Sequence, residues 1–149
     1  MTKDAPGLVL PSYYSYYDSP VKIVASGDGP RVWRVSMEDG SWQEENEIFE
    51  ELVSAIGGEI FKRTAMEFVQ DVERYRAEYL SGDGPIYALY ETAKSIIETG
   101  HRERRSPTTR ELALVRGIRQ KTFAMFEEEL QRAGDPGADP SLAQGLSGD

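Results

Sequence analysis

The chain has 149 residues, no cysteine, one histidine and a net charge of −9. A chain of this length suits one domain that buries its own core, and without cysteine it has neither disulfides nor thiolate chemistry. The negative charge sets it against phosphate backbones, so nucleic-acid binding is not expected, and no apolar run approaches the ~18 residues of a membrane span.

Residues 1–12 read as a flexible lead-in. Leu8-Val9-Leu10 is too short for the core of a signal peptide, and a cytoplasmic protein is expected. Tyr13-Tyr14-Ser15-Tyr16-Tyr17 favours a strand, because flat rings pack well on a pleated surface. Val21, Ile23 and Ala25 alternate in the next segment. After the Gly27-Asp28-Gly29-Pro30 turn, Trp33, Val35 and Met37 alternate in a third. Asp39-Gly40 reads as a two-residue hairpin turn, which would place Glu38 opposite Ser41 and Met37 opposite Trp42.

From Glu44 the apolar period lengthens to about 3.6 residues. Ile48, Phe49, Leu52, Val53 and Ile56 share a stripe that ends at Gly57-Gly58. A second helix is predicted from Arg63 to Leu80. A third follows Pro85, with Ile86, Leu89, Tyr90, Ala93 and Ile97 on one face. A fourth starts at Thr108, whose spacing to Glu111 matches a capping box. Gly117 inside it is explained most plainly by a close helix crossing. Residues 134–149 are rich in Gly, Pro, Ala and Asp and read as a disordered tail. The expected fold is α+β, one domain over residues 13–133. A small N-terminal antiparallel meander of three to four strands would pack against about four helices. Ser-Gly-Asp-Gly-Pro occurs at 26–30 and again at 81–85, but its flanks differ, so it is turn chemistry used twice rather than a repeat.

The chemistry-bearing residues point away from catalysis. His101 stands alone, after Gly100 and among arginines, and reads as an exposed residue at a helix C-terminus. The acids after residue 44 suit a helix N-terminus and lack the spacing of a calcium loop. No glycine-rich run has the ending of a phosphate loop. Neither cofactor nor metal is expected.

The charge is unevenly placed. Residues 38–59 hold eight acids and no base, and residues 101–121 hold seven bases against Glu103 and Glu111. Arg102, Arg104, Arg105 and Arg110 lead into the fourth helix and form a candidate site for an anion or a partner. Alternatively they neutralise the acidic stretch, within the chain or between copies. Tyr14 and Tyr16, with Glu44, Glu45, Glu47 and Glu51, form a candidate partner surface, tyrosine being frequent at interfaces. The expected function is therefore a non-enzymatic interaction or regulatory module, acting on a protein partner or by self-association. The alternative is a small enzyme or binding protein for an anionic ligand, using the arginines at 102–110.

Overall fold

A computed structural model describes residues 8–55 and 57–144. It has five strands: β1 (Ser12–Tyr16), β2 (Ser19–Val24), β3 (Arg31–Val35), β4 (Trp42–Glu44) and β5 (Ile60–Arg63). The helices are α1 (Phe49–Ser54), α2 (Ala65–Tyr79), α3 (Pro85–Arg102), α4 (Thr109–Arg132) and the single turn α5 (Ser141–Gln144). The strands form one antiparallel sheet in the order β4-β3-β2-β1-β5. The first four are the expected meander, and the class is α+β.

The alternation of β1–β3 divides the core in two. Tyr13, Trp33, Val35 and Trp42 face α2 and α4, where Phe68, Val69, Val72 and Phe123 close over them. Tyr14, Val21, Ile23 and Val32 face the other way, onto Ile48 and Leu52 of the segment leading through α1. Both faces of the sheet are thus covered, where helices over one face would have sufficed for the meander. Ile86, Tyr90 and Phe126 fill a third cluster between α3 and α4, while Leu89 and Ile97 of the predicted stripe are only half-buried.

The Asp39-Gly40 turn differs from expectation. Val35, not Met37, pairs with Trp42, and Met37 is exposed. A type I′ turn needs positive φ at both central residues, but only Gly40 has it (φ 78°). The Asp39 carboxylate instead accepts from the backbone N–H and hydroxyl of Ser41, and Gly40 N–H donates to Ser36 O, closing a longer loop. A side chain on Gly40 would collide with Leu80 and Phe126.

The helix expected from Glu44 begins later. Glu44 ends β4, residues Asn46–Ile48 make one 3-10 turn, and α1 follows. Asn46 sets this boundary by accepting the Val32 N–H on Oδ1 and donating to Glu44. Ala55, in the left-handed region, stops α1, and Ile56 lies outside the described residues. The β5 strand was not expected. It is a four-residue edge with only Ile60 buried, too short to show alternation. Thr64–Glu67 and Thr108–Glu111 both form complete capping boxes.

The largest departure is at the C-terminus. Residues 135–144 lie across the helix-covered face of the sheet, in the stretch expected to be a tail. Asp135 accepts the Trp42 N–H, Lys22 Nζ donates to Gly137 O at 2.6 Å, and Asp139 N–H donates to Glu127. Ala143 is buried. Hydrogen bonds between side chains and backbone, with small residues, anchor this segment, so a search for periodic apolar residues misses it. Residues 1–7 and 145–149, the rest of the expected lead-in and tail, lie outside the described residues.

Candidate functional site

Two charged constellations emerge, and they differ in how completely they are satisfied. The first is buried and closed. Arg76 of α2 is fully buried, and four N–H donations from it are met: Nη1 to Glu73 (2.8 Å), Nη2 to Glu127 (2.6 Å), and Nε and Nη2 to Gly40 O (3.1 and 2.8 Å). Its guanidinium lies 4.1 Å from the centre of the Phe126 ring, a favourable cation–π distance. Glu127 also accepts from Trp42 Nε1 and Asp139 N–H, and Glu73 accepts from the Tyr90 hydroxyl at 2.8 Å. Burial pushes the Glu73 carboxyl upward, while Arg76 opposes that shift. Lys22 lies over Trp42 at 4.3 Å, and burial lowers its pKa. This network ties α2, α3, α4, the 36–41 loop and the C-terminal segment together. Sequence reasoning missed it, because nothing in a charged residue's spacing announces full burial.

The second is the hairpin of α3 and α4, which carries the basic stretch. Arg105 closes its turn. Its Nη1 and Nη2 donate to the two oxygens of Glu111 at 2.8 and 3.0 Å, and Nε donates to Glu103 at 2.7 Å. That pairing, with the Thr108 N–H, holds the Glu111 carboxyl down at about 2. Arg105 is therefore occupied in shaping the turn. Arg104 occupies the left-handed region (φ 53°), where its N–H donates to His101 O. Arg102, Arg104 and Arg110 are all exposed; Arg102 donates only to Thr99, and Arg104 and Arg110 have no acidic partner among the described residues. Arg116, six residues further along α4, is exposed and likewise has no acidic partner among the described residues. Leu112 (44% exposed) and Leu114 (51% exposed) also stand out from α4, on different sides of it, with Leu114 one turn from Arg110. Gly117 is exposed, and a side chain there would meet nothing within 4 Å, so no helix crosses at that point. His101 is exposed in the last turn of α3.

Part of the acidic stretch is engaged elsewhere. Glu45 pairs with Arg34 at 3.1 Å, Glu44 lies 3.8 Å from Arg31, and Glu51 accepts from the Tyr16 hydroxyl at 2.9 Å. Glu47 is exposed and has no ion-pair partner among the described residues. Among the described residues no ion pair joins 38–59 to 101–121, so the two stretches do not neutralise each other within the chain. Tyr14, placed on the candidate partner surface from sequence, is 2% exposed and belongs to the core, because β1 runs between β2 and β5 rather than at an edge. Tyr16 keeps a partly open ring beside Arg34.

Among the described residues no group of three His, Asp or Glu side chains is gathered as a metal would require, and no helix is long and apolar enough to cross a membrane. The chain matches no family model, and comparison with curated proteins and with solved structures finds no significant similarity.

Proposed function

We propose that this protein is a non-enzymatic interaction module whose α3–α4 hairpin docks an acidic surface of a protein partner. The observation that carries the reading is the set of exposed arginines at 102, 104 and 110, without acidic partners among the described residues, with exposed Leu114 one turn along α4 from Arg110. Apolar side chains framed by arginine suit an interface, since buried apolar anchors supply affinity and charged rims set orientation and encounter rate. The turn is preorganised by Arg105 and Glu111, so little ordering cost falls on binding. Gly117 leaves α4 bare beside Leu114, allowing a partner's backbone to approach closely.

A photo-crosslinking residue at position 114, expressed in the native cell, tests this. One discrete adduct is expected, absent when the same residue replaces the exposed Asp28 of the β2–β3 turn. Arg104→Glu with Arg110→Glu should abolish it while the circular dichroism spectrum stays native. An adduct that survives the double reversal, or no discrete adduct at position 114, overturns the reading. An adduct with a second copy of the chain identifies self-association through the acidic stretch as the form the interaction takes.

A further inference from the structure

The helices leave a groove that the hairpin reading does not use. α2 and α3 both pack along α4, more than on each other, and the space between them has a volume of about 720 Å³. That lies within the range of small-molecule sites, roughly 300–1,000 Å³. The hydrogen bond from Tyr90 to Glu73 closes one end. Ile118 and Arg119 line it from α4, with Ala77 on one wall and Ala93 and Ile97 on the other.

Arg119 is the unexplained residue. It is half-buried, its side chain makes no hydrogen bond or ion pair among the described residues, and Arg74 stands close enough to repel it. Burial, and then Arg74, lower its pKa. Glu73 and Asp71 attract it from a distance and offset part of that shift, but neither accepts a hydrogen bond from it, because other groups already engage them. Asp71 accepts from Arg63 at 2.8 Å and from Arg74 at 2.6 Å, and Glu73 accepts from Arg76 and Tyr90. A partly desolvated guanidinium with its donor fork unfilled, beside a second arginine, is matched by a carboxylate, which it can hold through two parallel bonds. The apolar walls call for an apolar body on that acid. Glu78, Glu91 and Glu98 also line the groove, together with Lys94 and His101, and this mixed charge suits a singly charged anion better than one of higher charge.

We propose that the groove between α2, α3 and α4 binds a small monocarboxylate with an apolar body, its carboxylate held by Arg119 and Arg74. The groove reaches the hairpin at His101 but uses none of the arginines of the docking surface, so the inference stands independently of the docking reading.

The test is a titration of the isotopically labelled full chain with 4-phenylbutyrate, with neutral 4-phenylbutyramide and with inorganic phosphate. Saturable shifts are expected at the Arg119 side chain and at backbone amides around Ala77, Ala93 and Ile118. The amide should bind at least tenfold more weakly than the acid. Arg119→Gln should weaken the acid at least tenfold, and Arg119→Lys should restore part of the loss. Ala77→Gln narrows the groove from an exposed position and should weaken binding without disturbing the core. Arg116→Gln and the Arg104→Glu/Arg110→Glu pair should leave the titration unchanged. Equal binding of acid and amide, indifference to both Arg119→Gln and Ala77→Gln, or tighter binding of phosphate than of phenylbutyrate would overturn the proposal.

Discussion

Arg76 shows how much one buried charge can organise. Taking a guanidinium out of water costs several kcal/mol, and the pairing with Glu73 and Glu127 offsets that cost only because the surrounding polar atoms are bonded too. Removing the cation alone strands two carboxylates in an apolar interior. Arg76→Met is therefore expected to destabilise by ~3–5 kcal/mol, the range for breaking a buried pair from one side. It should appear as a lower urea midpoint at unchanged slope. The triple variant Arg76→Met, Glu73→Gln, Glu127→Gln should recover part of the loss, since neutral amides still accept from Tyr90, Trp42 and Asp139. A triple variant no more stable than the single one would mean that the Gly40 carbonyl, and not the charge balance, is what Arg76 serves. Arg119 is the counterpart at the same scale. It is another arginine on a helix, yet its donors are unspent. That contrast separates a structural cation from a candidate binding group, and spacing alone does not reveal it.

Among the elements, the most consequential is the C-terminal segment 135–144, which seats on the two tryptophans of the sheet. Gly137 lies where a Cβ would come within 2.5 Å of Trp42 Cβ and 3.0 Å of Trp33. Gly137→Ala should therefore lift the segment or distort the sheet, at ~1–3 kcal/mol for an overpacked site. Hydrogen exchange at Asp139 N–H, which donates to Glu127, reports which occurs. Unchanged stability and protection would show that the segment contributes little to the fold. The long helices and the meander were legible in the sequence because their burial is periodic. Phe68, Val72 and Val115 lie in the helices predicted from the sequence and are buried, and the Thr108–Glu111 box begins α4 as its spacing implies. What lacked a period stayed hidden. β5 buries one side chain, the 135–144 segment is held by hydrogen bonds and small residues, and no spacing marks Glu73, Arg76 and Glu127 as buried. The hairpin arginines were legible as a cluster, but not the division of labour that commits Arg105 to Glu111 and leaves Arg102, Arg104 and Arg110 open. The groove was not visible, because its residues come from three helices whose relative placement no local pattern encodes.

Across the whole molecule, charge acts in two opposed ways that salt can separate. The chain carries 26 acids against 17 bases, and this excess repels itself in the folded state. The ion pair that matters most to the core, Arg76 with its two glutamates, is fully buried and hardly screened. The exposed pairs, such as Arg31 with Asp28 and Glu44, are worth ~0–1 kcal/mol each and have little to lose. Sodium chloride should therefore stabilise the fold as the Debye length shortens from about 30 Å at 0.01 M to about 8 Å at 0.15 M. For a domain of this size, ~1 kcal/mol moves Tm by about 2–4 °C, so a rise of a few degrees is expected over that range. Binding at the hairpin should respond in the opposite sense, since the same screening weakens attraction between exposed arginines and an acidic partner. The charge reversal links the two effects. Each Arg→Glu substitution subtracts two charges, so Arg104→Glu with Arg110→Glu takes −9 to −13. Self-repulsion grows, and the Tm of the double variant should climb more steeply with salt than that of the native chain. A native Tm that falls with salt would show that exposed pairs outweigh the net charge. Equal slopes for the two proteins would place the hairpin arginines beyond the reach of the acidic field, and the segregation of charge would then govern encounters with other molecules rather than the stability of the fold.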